Sequence, residues 1–280
     1  MITTNVSEET CNIIFSLNIA LYVPLNAAIN SIVRNCKSPD TVFFHIVIPP
    51  EEEAVFIKKV IFRHPSLSIQ LFPFQAPVRL REYIYSRYGK NNETGKYMNY
   101  ARFYLKELFP QLSKVIFLDP DLIVLDDIEK LYALTQFDSS RYLAVVPHIY
   151  LRFLYTNHPY KIRNEIKKIK QPFNGGVFVT DLRYWDNSIL EKIYTYFDLN
   201  KAYDYKLFSL STEPLQNLIF HNYIPLPRAW NRCGFGNLPI ISFFLRKPIK
   251  EISILHWSGG HMKPWINKKT PYYSTWEQYR

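Results

Sequence analysis

Through its first half the chain alternates short unbroken apolar runs with longer stretches whose apolar residues recur every three or four positions. Asn12 to Leu17, Val42 to Ile48 and Leu67 to Phe72 are runs of the first kind and predict strands. Tyr22 to Val33 carries Val23, Ala27, Ala28 and Ile32 at helical spacing. Glu51 to Phe62 opens with three glutamates, where a helix dipole favours negative charge, and predicts a second helix. Pro73 to Asn92, with Gly89 and an Asn-Asn pair, is poorly periodic and predicts a connection. Met98 to Phe109 predicts one amphipathic helix that stops at Pro110. Val115 to Leu118, Leu122 to Leu125, Tyr142 to Val146 and Val177 to Thr180 predict further strands, and Ile189 to Phe197 a helix. From about residue 225 the pattern loosens into a stretch rich in proline and aromatics. Such alternation implies β-α-β units: an α/β fold with a mostly parallel central sheet flanked by helices. No repeat, low-complexity tract or composition shift marks a linker, so residues 1–280 read as one domain.

Composition narrows the class. Hydrophobic residues make up 48% and aromatics 16%, ample material for a core. The formal charge of +10 favours anionic partners. No helix-turn-helix, zinc or RNA-recognition signature accompanies it, so nucleic acid is not expected as a partner. Cys11, Cys36 and Cys233 are too widely spaced for a metal pattern and odd in number, which suits a reducing, cytoplasmic compartment. The first ten residues lack the basic and apolar regions of a signal peptide. The basic segment Tyr160 to Lys170 reads as a solvated helix face, with peripheral contact to a membrane as the alternative.

Against this background one stretch stands out. "VIFLDPDLIVLDD" sets Asp119 and Asp121 between two apolar runs, just past the carboxyl end of a predicted parallel strand, where open α/β sheets bind ligands. Pro120 holds the turn out of helix. Unpaired carboxylates beside buried strands are costly, and a divalent cation relieves that cost; oxygen donors suit Mg²⁺ or Mn²⁺ held together with substrate phosphates. Asp126 or Asp127 instead reads as the N-cap of a short helix through Tyr132. "FNGGVFVTDLRYW" puts Asn174 and the pair Gly175-Gly176 before a strand, where a backbone without Cβ atoms can approach a ligand. "ILHWSGGHMKPW" offers His256 as a third metal ligand and Lys263 as a phosphate partner.

Taken in order, these stretches, with "YARFYL" at Tyr100 to Leu105, resemble glycosyltransferase family 8 from Asn12 to about Trp265. The resemblance implies a GT-A fold, a Rossmann-like sheet carrying a nucleotide-sugar donor, with UDP as the expected nucleotide, and Mn²⁺. It implies transfer of a hexose or related sugar to a glycan or glycoconjugate acceptor with retention of anomeric configuration. It assigns the metal to Asp119, Asp121 and His256. Donor binding falls to Asn18, Tyr22, Arg102, Asp119, Pro120, Asp121, Asn174, Gly175, Gly259 and Lys263, and catalysis to Glu213, Asn174 and Arg102. Tyr22 would stack on the base. The chain departs from the family pattern at Asn18, where the family carries an acidic residue, at His148, where it carries aspartate, and at Thr212-Glu213-Pro214, where it carries Asp-Gln. Glu213 has two readings: a carboxylate beside the anomeric carbon, or a first-turn helix glutamate beside Pro214. The departures also leave a second functional class open, a catalytically inactive nucleotide-sugar or glycan-binding module of the same fold.

Overall fold

The computed structural model describes residues 10–89, 93–148, 160–208, 210–237 and 244–280. The N-terminal decapeptide read above as lacking a leader lies mostly outside them, as does the Asn-Asn pair. The central sheet has the order β3-β2-β1-β4-β7-β6-β8. Its strands are β1 (Cys11–Ser16), β2 (Val42–Ile48), β3 (Ser68–Pro73), β4 (Lys114–Leu118), β6 (Leu143–Pro147), β7 (Phe173–Asp181) and β8 (Ile224–Pro225). Strands β3, β2, β1 and β4 run parallel, as the alternating pattern implies, while β7 enters antiparallel between β4 and β6. A second sheet of two antiparallel strands, β5 (Leu122–Val124) and β9 (Ile254–His256), lies beside it. Every residue of β1 and β7 is buried. Both faces of the sheet are therefore covered, which is why these strands read as continuous apolar runs.

The helices are α1 (Tyr22–Asn35), α2 (Glu53–Lys59), α3 (Val78–Tyr88), α4 (Glu93–Tyr100), α5 (Leu105–Leu108), α6 (Ile128–Ala133), α7 (Tyr160–Lys168), α8 (Asn187–Ala202), α9 (Glu213–Ile219) and α10 (Tyr273–Glu277). Asp127, not Asp126, caps α6 by accepting from the Glu129 N–H at 3.2 Å. Three expectations fail. The connection from Pro73 contains α3, whose buried stripe is Leu80, Tyr83 and Ile84. It ends at Gly89, held at φ +75°, where glycine bears no Cβ penalty. The single helix over Met98 to Phe109 is broken into α4, a 3-10 turn over Ala101–Phe103, and α5. Residues Tyr100 to Leu105 are all buried, so the segment has no solvent face and follows its packing rather than one helical stripe. Third, β7 begins at Phe173, so Asn174, Gly175 and Gly176 are strand residues and not a preceding turn.

The less regular C-terminal part packs back onto the rest of the chain. Phe235, Leu255, Trp257 and Trp276 form an apolar cluster with Ala27 of α1 and Ile123 of β5. That cluster holds β9 against β5 and so brings His256 to the Asp119–Asp121 turn.

Candidate active site

The register of β5 and β9 places Leu122 opposite His256. Asp121, immediately before Leu122, is tied in by the Trp257 N–H, which donates to its carbonyl at 2.9 Å. Asp119, at the end of β4, donates its N–H to the Gly176 carbonyl at 2.7 Å. Three segments far apart in sequence thus meet at one point. The turn between β4 and β5, the start of β7 and the end of β9 each contribute a backbone-anchored residue.

The side chains converge in a regular division. One oxygen of each aspartate is held by a cationic side chain: Arg102 donates to Asp119 Oδ1 at 2.8 Å, and Lys263 donates to Asp121 Oδ2 at 2.5 Å. The other oxygens face the fully buried His256. Its Nε2 lies 3.1 Å from Asp121 Oδ1 and 3.8 Å from Asp119 Oδ2. Ligand atoms of the three residues all lie within 4.8 Å of one another. Burial alone would push the Asp121 carboxyl up, but the Lys263 ammonium and His256, with their hydrogen bonds, hold it well below the usual carboxylate range. Two carboxylate oxygens and an imidazole nitrogen facing one point are a donor set suited to a divalent cation, and each donor has a supporting partner behind it. The residues present therefore fit the Mn²⁺ or Mg²⁺ that the motif suggests.

Gly176 makes this convergence sterically feasible. A Cβ there would stand within 2.5 Å of His256 Cε1 and closer still to Asp119 Oδ2. At Gly175 a Cβ would collide with the Gln216 side chain. Gly259 has φ +107°, and a Cβ would meet Gly236 and Asn237 at 2.7 Å, so its glycine serves the loop's backbone path.

Glu213 stands on the other side of Asn174. Asn217 staples α9 to β7: its Oδ1 accepts from the Phe173 N–H at 2.9 Å and its Nδ2 donates to the Phe173 carbonyl at 3.0 Å. The first residue of α9 is thereby brought beside β7, and Asn174 Nδ2 donates to Glu213 Oε1. Glu213 opens α9, as its first-turn reading expects, and its carboxylate contacts Asn174. Burial pushes its carboxyl up to about 7; the Asn174 hydrogen bond opposes that rise and the Asp119 charge adds to it.

A cavity of about 250 Å³ opens in front of the aspartates. Asn18, Leu21, Met98, Pro120, Lys263 and Trp265 line it together with Asp119 and Asp121. Asn18 lies on this wall. Tyr22 is not on this wall; its ring lies under the Lys59 ammonium at 5.3 Å, and Leu21 takes the place facing the cavity. Asn18 precedes a 3-10 turn over Ile19–Leu21 that leads directly into α1 at Tyr22. Arg102 also differs from expectation. Its Nε, Nη1 and Nη2 donate to the Asn99 carbonyl, the Gly175 carbonyl and Asp119, and it is buried, so it holds the protein rather than reaching open space. His148 is buried with Nε2 3.4 Å from Cys233 Sγ, and burial, with His256 and the nearby arginines, pushes its imidazole down to about 4. A larger hollow of about 730 Å³, between α7, α8 and α9, contains none of the site residues.

Sequence reading missed Asn231. It is fully buried and bridges Asn174 and His256, at 3.2 Å and 3.0 Å. Only the apolar company around "RAWNRC" hints at it, and that context suits any buried asparagine.

Comparison with known proteins agrees with this geometry. The model of the family described as Glycosyl transferase family 8 matches residues 12–269. Probable galacturonosyltransferase-like 6 of Arabidopsis thaliana is 30% identical over 249 residues, covering 86% of this chain and 70% of that protein. Probable galacturonosyltransferase-like 10 of the same plant is 29% identical, over 86% of this chain and 67% of its own length. Among solved structures, the galactosyltransferase LgtC in complex with donor and acceptor sugar analogs superposes with a TM-score of 0.70 at 18% identity, over 96% of this chain and 94% of that one. The WbbM bifunctional glycosyltransferase gives a TM-score of 0.64 at 17% identity, and this chain spans 50% of its length.

Proposed function

This chain belongs to glycosyl transferase family 8, has the GT-A fold and is a glycosyltransferase; from that premise we propose that it is a retaining, divalent-metal-dependent hexosyltransferase. The donor is a nucleotide sugar, with UDP as the nucleotide, and the acceptor is a glycan or glycoconjugate. The observation that carries this reading is the convergence of Asp119 Oδ2, Asp121 Oδ1 and His256 Nε2, with the two aspartates lining the cavity that Asn18 and Leu21 also line.

A cation held there supplies positive charge to the donor's diphosphate as the nucleotide departs. The chain's own residues do the rest. Asn18 offers an amide to a base edge in the cavity. Arg102 and Lys263 fix the orientation of the two aspartates, and Lys263, on the cavity wall, has one ammonium proton left for a phosphate oxygen after donating to Asp121 and the Trp257 carbonyl. Asn174 and Glu213, which do not line that cavity, would face the sugar. Glu213 acts there by stabilising positive charge that develops at the anomeric carbon. The first-turn position beside Pro214 gives the residue a structural role as well, which is why we assign it the electrostatic part and not that of a covalent nucleophile. Cys11, Cys36 and Cys233 are free and buried, which suits a cytoplasmic setting. Among the described residues no helix is long and apolar enough to cross a membrane. In α7, Ile162 is buried while Arg163, Lys167 and Lys168 are exposed, leaving a basic face for peripheral contact with an anionic surface.

The test is a donor screen. Purified protein with Mn²⁺ is incubated with a panel of nucleotide sugars, and release of free nucleotide and the anomer of the transferred sugar are recorded. Release from one donor with a retained anomer supports the reading. No release from any donor favours the inactive binding module, and an inverted anomer removes the retaining mechanism.

A further inference from the structure

The hydrogen bonds behind His256 form one chain of side-chain amides, and one end of that chain has a fixed polarity. The Gly176 N–H can only donate, and it lies 3.1 Å from the Asn174 amide. That contact identifies the Asn174 atom as Oδ1 and turns Nδ2 toward Glu213 Oε1. The same Oδ1 lies 3.2 Å from Asn231, so the Asn231 atom facing it is the amide nitrogen. Asn231 Oδ1 therefore faces the imidazole, 3.0 Å from His256 Nδ1. An amide oxygen can only accept, so Asn231 favours the proton on Nδ1, while the Asp121 carboxylate, 3.1 Å from Nε2, is an acceptor at the opposite nitrogen; the Nδ1–H tautomer is the one whose Nε2 lone pair can ligate a cation.

We propose that Asn231 is a positioning residue of the metal centre: it passes the polarity of the Gly176 N–H to His256 and so holds the imidazole in the tautomer whose Nε2 can ligate a cation. The inference rests on the reading of Asp119, Asp121 and His256 as metal ligands. Asn231 is the counterweight to the oxygens of Asp121 and Asp119, 3.1 Å and 3.8 Å from Nε2, which accept a proton placed there; without Asn231 they alone decide where the ring proton sits. A proton on Nε2 removes the lone pair from the site. Asn231 is well fixed for this task. It closes a 3-10 turn over Arg228–Asn231, and the next residue, Arg232, is bonded to β9 on both sides of Leu255: the Arg232 N–H donates to the Ile254 carbonyl, and the His256 N–H donates to the Arg232 carbonyl, each at 3.0 Å. The amide serves both neighbours, donating to Asn174 and accepting from Nδ1. A carboxylate would still accept from Nδ1 but could not donate to Asn174, and an aliphatic side chain would do neither.

Two measurements test this together. The tautomer of His256 is read from long-range ¹H–¹⁵N imidazole spectra of the metal-free protein at alkaline pH, with the resonance assigned by its loss in His256→Gln. Mn²⁺ affinity is read from free Mn²⁺ by electron paramagnetic resonance. The wild type should show a larger share of the Nδ1–H form than Asn231→Leu. Asn231→Leu should show the Nε2–H form or a mixture, and should bind Mn²⁺ about tenfold to a hundredfold more weakly, the usual cost of losing a group that orients a ligand. Asn231→Asp, which keeps the acceptor for Nδ1–H, should restore the wild-type tautomer and bind Mn²⁺ at least as tightly as the wild type. Equal weakening in both variants, or Asn231→Leu with the wild-type tautomer, overturns the proposal. If the wild type takes up no Mn²⁺, the ligand assignment falls, and the tautomer spectra alone decide whether Asn231 sets the ring.

Discussion

Glu213 makes the stability of the metal-free protein depend on pH in a calculable way. Its carboxyl is enclosed at the start of α9 and, by burial first, is raised from 4.5 to about 7. An unfolded chain ionises the residue near 4.5, while the folded chain keeps it protonated until about 7. The folded state thus binds the extra proton in that window, and stability falls as pH rises through it. The rise from 4.5 to about 7 corresponds to about 3 kcal/mol, fully lost once the pH exceeds the folded value. Glu213→Gln removes the titration but keeps a carbonyl oxygen to accept from Asn174. Urea unfolding of both proteins in the presence of a chelator, from pH 4 to pH 8, gives the difference directly. The variant should gain on the wild type by about 3 kcal/mol between roughly pH 4.5 and pH 7 and run parallel above that. A difference that stays flat across the window would show that the carboxyl is not enclosed as the geometry implies.

Gly176→Ala should cost about 1–3 kcal/mol of stability through overpacking and weaken Mn²⁺ binding at least tenfold, because Arg102 prevents Asp119 from retreating; thermal unfolding and metal titration check both. Lys263→Ala should weaken binding of a nucleoside diphosphate more than that of the bare nucleoside, since only the phosphates use the charge; calorimetry with the two ligands compares the losses. Glu213→Gln should lower turnover by about tenfold to a hundredfold, the size of one lost electrostatic contact; a variant that folds yet retains no turnover, or a trapped glycosyl adduct on Glu213, would make it the nucleophile.

Much of the fold could be read from the sequence where burial is two-sided. Strands such as β1 and β2 lie inside the sheet, so their apolar runs are unbroken and their ends sharp. Helix α3 was hidden because two of its three arginines, Arg79 and Arg81, flank Leu80 and its stripe includes a tyrosine, whose hydroxyl disguises an apolar face. The break at Ala101–Phe103 was hidden for the opposite reason. Its residues are buried all round, so periodicity carries no information about where the helix ends. In the site, Asp119, Asp121, Gly176 and His256 could be found because each is an unusual residue beside an apolar run. Asn231 could not, since its role is set by what Asn174 and His256 present to it, residues 57 and 25 positions away. Tyr22 was misplaced although the start of α1 was read correctly, because the 3-10 turn over Ile19–Leu21 that sets its direction has no side-chain pattern of its own.

The central claim is that Asp119, Asp121 and His256 form a cation site on which sugar transfer depends. The most direct measurement is nucleotide release from the donor that the screen identifies, followed in the purified protein after chelation and again after Mn²⁺ is restored, for the wild type and for Asp121→Ala. Asp121→Ala should remain folded by circular dichroism. The account predicts release by the wild type that disappears with the chelator and returns with Mn²⁺, and none by Asp121→Ala under any condition. Release that persists in the chelated wild type, or near-normal release by Asp121→Ala at saturating donor, would contradict it.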